Sequence, residues 1–155
     1  MNAAVAVRRG GRDDRDFVRD LGRRTATSSV SAVRIAKHDD VIDSLERLAD
    51  FVFGRRHEAL IAERDGERVG FLLLLYDIPD EVTLTQQAFV AYTAVEPHAR
   101  GAGVGRALLV AAEAHARAEG LGYLSLMVTE DNVPARALYD GAGFATERRM
   151  MTKAL

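Results

Sequence analysis

Residues 100–106 have the composition of an anion-binding loop. They read Arg-Gly-Ala-Gly-Val-Gly-Arg and lie between an apolar run and an alanine-rich stretch. Backbone N–H groups at the start of a helix have no partner inside the helix, and the helix dipole adds partial positive charge there. Glycines let a phosphate approach without meeting a Cβ atom. The segment is therefore predicted to bind a pyrophosphate, and the alternative is that its glycines only form a tight turn.

The two common phosphate-binding motifs do not fit this loop. A dinucleotide-binding fingerprint needs glycine where Arg106 stands, and a P-loop needs Gly-Lys followed by Ser or Thr. The loop is therefore expected to serve a different pyrophosphate ligand.

A second group of residues that could take part in a reaction begins at Asn132. Asn132, Ala135 and Tyr139 stand at positions i, i+3 and i+7, which share one face of a helix. Pro134 suits the first turn of that helix, and the glycines between 141 and 143 suit its end. Tyr139 is a candidate proton donor, and the alternative is an aromatic ring that packs in the core with its hydroxyl hydrogen-bonded.

Apolar periodicity predicts the elements that position these two groups. The predicted strands are residues 4–7, 59–63, 69–76, 89–95, 123–128 and 144–153. The predicted helices are residues 12–24, a second beginning at Asp39 or Asp40, residues 103–119, and a fourth from Asp131 or Asn132 through Tyr139. Asp65-Gly66 favours a tight hairpin turn between the second and third strands. We expect a mixed α/β (α+β) sheet in a single domain of residues 1–155.

Composition excludes several classes of function. The chain has 155 residues, 21 basic and 23 acidic side chains, and no cysteine, which rules out a disulfide framework and a thiolate zinc site. No group of histidines and carboxylates has ligand spacing on one element, so no metal is predicted. The longest apolar run, residues 71–76, is too short to cross a membrane. We expect a cytoplasmic protein with neither nucleic acid nor membrane as a partner.

Both groups of residues resemble signatures of one enzyme family. Arg-x-x-Gly-x-Gly at 100–105 follows Val-x-Pro at 95–97, and Asn-x-x-Ala-x-x-Leu-Tyr at 132–139 precedes Gly-Phe at 143–144. These motifs resemble those of the GCN5-related N-acetyltransferases (GNAT), specifically across residues 89–147 and only in architecture before that. The resemblance implies a mixed, mostly antiparallel central sheet flanked by helices.

The resemblance also implies acetyl-CoA as the acyl donor. The loop amides would hold the pyrophosphate, the strand before the loop would pair with the pantetheine arm, and Asn132 would hydrogen-bond near it. Tyr139 would point at the thioester sulfur and protonate the departing thiolate, while a strand N–H near Val95 would stabilise the developing oxyanion. The residues predicted to contact the cofactor are Ala94, Val95, Arg100, Gly101, Ala102, Gly103, Val104, Gly105, Arg106, Asn132 and Ala135.

One feature departs from the family pattern. Many members carry a carboxylate on the strand before the loop, whereas residues 88–95 contain none, and Tyr92 and Thr93 occupy the corresponding positions. Asp80 or Glu81 in the preceding turn remain candidates for a general base. Glu96 is expected to face solvent.

The predicted activity is transfer of an acetyl group from acetyl-CoA to a primary amine of a small molecule or a protein. Two alternatives remain open: a non-catalytic acyl-CoA-binding regulatory module, and a transferase that uses another acyl-CoA. A homodimer is also predicted, because the apolar residues 71–75 and the pair Met150 and Met151 exceed what one core is expected to bury.

Overall fold

The computed structural model describes residues 3–155, which form five strands and four α-helices. The strands are β1 (Ala6–Arg9), β2 (His57–Arg64), β3 (Glu67–Leu75), β4 (Ala88–Val95) and β5 (Leu124–Leu126). The helices are α1 (Arg15–Thr25), α2 (His38–Phe53), α3 (Val104–Ala118) and α4 (Val133–Gly141). Short 3-10 turns span Arg12–Asp14, Ala26–Ser29 and Pro97–Ala99.

The strands form one sheet in the order β1-β2-β3-β4-β5. The first four strands pair antiparallel, and β5 pairs parallel to β4. Asp65 and Gly66, with φ angles of 53° and 79°, turn the chain from β2 into β3. Positive φ at both positions is what a two-residue hairpin requires, and the predicted turn is therefore confirmed. The predicted mixed, mostly antiparallel sheet is confirmed as well.

Alternation along β2 and β3 divides the core into two layers. Leu72 and Leu74 face α3 and α4, whereas Phe71, Leu73 and Leu75 face α1 and α2. Both faces of the central strands are covered, because successive side chains of a strand point to opposite sides. The apolar residues 71–75 are therefore ordinary core, and this half of the reason for predicting a homodimer is removed. The homodimer itself stays a prediction.

Gly70 lets α3 lie close to the centre of the sheet. A Cβ at this position would lie 3.0 Å from the Ala94 carbonyl oxygen and 3.1 Å from Val104 Cγ1. Since any side chain here would push the first turn of α3 outward, Gly70 helps to set where the glycine loop ends.

Several predicted boundaries differ from the structure. Helix α2 begins at His38, after Lys37, so neither Asp39 nor Asp40 is its N-cap. Helix α3 begins at Val104 with Gly103 as its cap, and β5 has three residues rather than six.

The predicted terminal strand at residues 144–153 is wrong. This segment has no regular secondary structure, and Met150 and Met151 are exposed. It is held by side chains: Arg148 pairs with Asp80 at 2.8 Å, and Arg34 donates to Thr152 Oγ1. A β-favouring composition does not make a strand where no neighbouring backbone completes the ladder.

A buried carboxylate ties β1 to the start of α1. Asp14 accepts two hydrogen bonds from Arg8, one from the Gly11 N–H at 2.9 Å and one from Arg68. The Arg8 guanidinium is the main cause that holds the pKa of Asp14 well below its usual range.

We expect Asp14→Asn to lower the free energy of unfolding at pH 7 by about 1–3 kcal/mol, because charged hydrogen bonds to a buried acceptor are lost. A carboxylate with a lowered pKa stabilises the fold above its unfolded pKa of about 3.9, and the effect is lost as pH falls through the folded value. The difference between parent and variant should therefore shrink below about pH 4. Urea unfolding between pH 7 and pH 3 measures this, with the exposed Asp13→Asn as control; an equal effect of both variants contradicts the assignment.

Candidate functional site

The glycine loop lies between the end of β4 and the first turn of α3. None of the backbone N–H groups from Gly101 to Arg106 donates a hydrogen bond within residues 3–155. Gly103 is the N-cap of α3 and contributes no side chain to satisfy them. Six consecutive free donors at a helix N-terminus form a site for an anion.

Glycine stands at the three positions of the loop for different structural reasons. Gly101 and Gly103 have φ angles of 75° and 83°, and a Cβ on either would meet no atom within 4 Å. Their surroundings are therefore open to a ligand. A Cβ at Gly105 would lie 2.9 Å from Leu138 Cδ2, so Gly105 is explained by the packing of α3 against α4. The sequence pattern assigned Gly105 to phosphate approach and did not reveal this contact.

The strand before the loop has an open edge. β4 pairs with β5 only from Ala88 to Val90. At Ala91 the pairing with β3 shifts register, because Val90 and Tyr92 face consecutive residues of β3 and Ala91 is the extra residue of a bulge. From there to Val95, β4 has no strand on its β5 side among the described residues. Alternation along the strand directs the backbone groups of Thr93 and Val95 to this edge, whereas those of Ala94 face Phe71 of β3. The edge can hydrogen-bond an extended ligand.

Helix α4 places Tyr139 in the core layer that also contains Val90 of β4. Asn132 is its N-cap, and its side-chain oxygen accepts a hydrogen bond from the Ala135 N–H at 3.3 Å. Tyr139 is 8% exposed and packs edge-on against Phe144. Its hydroxyl forms no hydrogen bond within residues 3–155, and burial, with a smaller contribution from Tyr92, raises its pKa. Tyr139 therefore stays protonated at neutral pH with its donor free.

Tyr92 and Thr93 follow the bulge, at the point where β4 leaves β5. The Tyr92 ring stacks on Phe71, and its hydroxyl lies 3.0 Å from Thr25 Oγ1 at the end of α1. Thr93 Oγ1 donates to the Phe71 carbonyl oxygen at 2.9 Å. The proton of Thr93 is therefore committed to β3.

The carboxylates nearest in sequence are already engaged. Asp80 accepts hydrogen bonds from the Val82 and Thr83 N–H groups and from Thr83 Oγ1. The hydrogen bond from Thr83 Oγ1 is the main cause of the lowered pKa of Asp80. The expectation that Glu96 faces solvent is wrong: its two oxygens accept from Arg24 at 2.7 and 3.0 Å, which lowers the pKa of Glu96. Glu81 is exposed. A carboxylate with a lowered pKa is a poor general base near neutral pH.

A segment that the sequence shows only as a linker crosses the opening. Thr129 Oγ1 donates to the Ser29 carbonyl oxygen at 2.9 Å, and the Ala32 N–H donates to Asp131 Oδ2 at 2.7 Å. We call residues 26–37 the strap. It joins the end of α1 to the loop before α4, and no local signal predicts these pairs because their members stand about 100 residues apart.

Residues 3–155 contain no group of three or more His, Cys, Asp or Glu side chains placed to hold a metal ion. In this range no helix combines the length and the hydropathy needed to cross a membrane.

The sequence profile described as the acetyltransferase (GNAT) family matches residues 26–144, which is most of the chain and includes both signature segments. The chain belongs to the GNAT acetyltransferase family. No protein of curated function matches it in sequence.

Solved structures agree with the GNAT fold. A putative acetyltransferase from Pyrococcus furiosus superposes with a TM-score of 0.82 at 24% identity, over 98% of this chain and 100% of that one. A ribosomal-protein-alanine N-acetyltransferase from Brucella melitensis biovar Abortus 2308 gives 0.70 at 23% identity, over 98% and 99%. AAC(6')-Iy, in complex with the bisubstrate analogue CoA-S-monomethyl-acetylneamine, gives 0.73 at 16% identity, over 99% of each chain. At these identities the likeness shows the fold.

The two ends of α3 provide a matched test of the loop in this GNAT domain. Gly103 and Gly120 flank the helix, both have positive φ angles, and a Cβ on either meets no atom within 4 Å. Alanine at either position therefore carries a similar backbone cost of about 1–2 kcal/mol.

We expect Gly103→Ala to weaken acetyl-CoA binding at least tenfold, since the new Cβ and the strained backbone disturb the free amides. Gly120→Ala should lower the unfolding temperature by a similar amount and leave binding unchanged. Calorimetric titration and thermal unfolding of both variants measure this. Equal acetyl-CoA affinity for the two variants would show that Gly103 only shapes a turn.

Proposed function

We propose that the protein transfers an acetyl group from acetyl-CoA to a primary amine. The observation that carries this proposal is the convergence of three features: the free amides of residues 101–106, the open edge of β4, and the unpartnered hydroxyl of Tyr139. Each supplies a different part of what a thioester donor needs: a site for the pyrophosphate, an edge for the pantetheine arm and a proton for the leaving thiolate.

The chain fits the cofactor by the chemistry of its backbone. The loop amides, with the start of α3 behind them, would hold the pyrophosphate, and Arg100 and Arg106 beside them add positive charge. Val95 would pair with the amide groups of the pantetheine arm, whereas the backbone groups of Ala94, predicted for the same role, face β3. While its oxygen caps α4, the side-chain N–H₂ of Asn132 can donate in the predicted contact with the arm. When bound, acetyl-CoA supplies the acetyl group as an activated thioester.

Tyr139 is proposed as the general acid. Its raised pKa keeps the phenol protonated at the pH where amines react, and its hydroxyl has no competing partner in residues 3–155. A protonated, positioned hydroxyl beside the sulfur can donate its proton as the thiolate leaves. The packing of its ring against Phe144 fixes the direction from which the hydroxyl approaches.

No carboxylate near β4 is proposed as the base. Hydrogen bonds hold the pKa values of Asp80 and Glu96 low, and Glu81 is exposed. The amine is therefore proposed to react in its neutral form and to lose its proton to water. The apparent rate should rise with pH through the pKa of the free amine and show no decline below about pH 10, because the pKa of Tyr139 lies above its ordinary value of about 10.

Acyl transfer is distinguished from binding alone by release of free CoA thiol. The lack of a strand carboxylate favours a non-catalytic acyl-CoA-binding module as the second candidate. The panel of amines begins with ethylamine, an alanine-initiated peptide and neamine, the last two chosen for the acceptors named with structural neighbours. Acetyl-CoA binding without amine-dependent thiol release supports the binding module. Faster release from propionyl-CoA or succinyl-CoA would identify a different acyl donor.

Tyr139→Phe tests the proposed acid, because it keeps the ring that packs against Phe144 and removes only the hydroxyl. We expect kcat to fall roughly a hundredfold, the scale of general acid catalysis, while the dissociation constant of acetyl-CoA changes by less than about threefold. Steady-state rates and direct titration with acetyl-CoA measure the two quantities.

The control for Tyr139 is Tyr76→Phe, since Tyr76 is similarly buried at 7% exposure and its ring lies under Arg56, directly after β3. It should leave kcat unchanged. If Tyr139→Phe turns over within threefold of the parent while chemistry limits the rate, Tyr139 is a packing residue and another group protonates the thiolate.

A further inference from the structure

The hydrogen bond between Thr25 and Tyr92 has a fixed direction. Thr25 Oγ1 lies 2.9 Å from the Leu21 carbonyl oxygen and 3.2 Å from the Gly22 carbonyl oxygen. Carbonyl oxygens only accept, so the single proton of the Thr25 hydroxyl is directed into α1. At 3.0 Å from Thr25 Oγ1, the Tyr92 hydroxyl must then be the donor of the remaining hydrogen bond.

The direction of this hydrogen bond limits what else the Tyr92 hydroxyl can bind. A phenol has one proton, and that of Tyr92 is used by Thr25. Its oxygen therefore presents only lone pairs to any further partner. It can accept an N–H and cannot donate to a carbonyl oxygen or to a sulfur.

The position of Tyr92 places this acceptor at the opening of the sheet. Tyr92 directly follows the bulge at Ala91 and is half-buried, with its ring held by Phe71 on the α1 side of the sheet. Tyr139 lies on the opposite, α4 side of the sheet, in the core layer that also contains Val90 of β4. One phenol has a free donor and the other has only acceptors.

We infer that Tyr92 binds the acceptor amine, accepting one of its N–H groups and so directing the nitrogen lone pair towards the thioester, and that Thr25 is the positioning residue that fixes this polarity. The inference rests on the proposed acetyl transfer and assigns the amine side of that site. In the reaction the nitrogen forms the new bond to the acetyl carbon, the carbon–sulfur bond breaks, Tyr139 gives its proton to the sulfur, and water takes the proton that the nitrogen loses. Tyr92 exchanges no proton.

Binding the amine is a different role from that of the strand carboxylate of many family members. If Tyr92 were a base, its removal would change the pH dependence of the rate. An acceptor that only holds the amine would change the apparent KM for the amine and leave the form of the pH profile unaltered. This difference makes the assignment measurable.

Tyr92→Phe keeps the ring that stacks on Phe71 and removes the acceptor oxygen. We expect the apparent KM for the best amine of the panel, and for ethylamine, to rise about tenfold. The affinity for acetyl-CoA should stay within twofold, and kcat should fall less than fivefold. Calorimetric titration of the amine in the presence of CoA, where no transfer takes place, should show the same tenfold loss. Tyr123→Phe is the control, because Tyr123 is 62% exposed and its hydroxyl has no partner in residues 3–155.

Two substitutions at Thr25 test the polarity. Thr25→Val removes the hydroxyl at nearly constant shape, which frees the Tyr92 proton, and should raise the KM for the amine severalfold. Thr25→Ser keeps the hydroxyl and should restore the parent value. The double variant with Tyr92→Phe should be no worse than Tyr92→Phe alone, since both changes act through one hydroxyl.

The outcomes separate the two proposals. If the parent protein binds no acetyl-CoA or releases no thiol with any amine, acetyl transfer is wrong and this inference falls with it. If the parent transfers acetyl groups but Tyr92→Phe leaves the KM for the amine unchanged, only the inference is overturned. A hundredfold loss of kcat with an altered pH profile would make Tyr92 a proton-transfer group. An effect of Tyr92→Phe without one of Thr25→Val would overturn the role of Thr25.

Discussion

The parting of β4 from β5 after Val90 is the constraint on which the rest of the site depends. Three residue pairs hold the two strands together, and the bulge at Ala91 then turns β4 away. In a closed sheet the backbone groups of Thr93 and Val95 would be satisfied by the next strand. Here they remain at an edge, and unpaired edges recruit an extended partner. The opening also allows one phenol to enter from each face of the sheet, which a continuous sheet would keep apart.

The elements around the opening are packed at distances that only small residues permit. Gly70 allows the first turn of α3 to lie over β3 and β4, and Gly105 allows α4 to contact α3 through Leu138. These two contacts set where the free amides of the loop lie relative to Tyr139. The glycine-rich segment is thus at once a ligand surface and a packing surface, and Gly101 and Gly103 belong to the first role while Gly105 belongs to the second.

Local patterns were sufficient to predict much of this protein. The turn at Asp65 and Gly66, the glycine loop, and the helix carrying Tyr139 each depend on residues close together in the chain, where the backbone preferences of a few side chains decide the structure. What joins these elements could not be read in the same way. The pairs Arg24–Glu96 and Thr25–Tyr92 join residues 72 and 67 positions apart, and their existence follows only from how α1 lies on the sheet.

The prediction of a strand after α4 was wrong because contacts between residues distant in sequence also decide the structure of this segment. Composition favours extended backbone there, but a strand is stabilised by a partner, and the segment instead follows side-chain contacts to Asp80 and Arg34.

Arg24 and Thr25, the last two residues of α1, limit how this protein can change in evolution. Arg24 donates hydrogen bonds to Glu96 shortly before the glycine loop, and Thr25 accepts one from Tyr92, the residue inferred to bind the amine. Any displacement of this helix end moves both halves of the site together. New acceptors are therefore hard to acquire by shifting α1, because donor binding would be lost on the way. The strap makes no hydrogen bond to Glu96 or Tyr92, and outside α1 and α2 its hydrogen bonds reach the loop before α4 and Thr152. Its length and side chains can therefore vary, and acceptor choice with them, while the donor half stays intact.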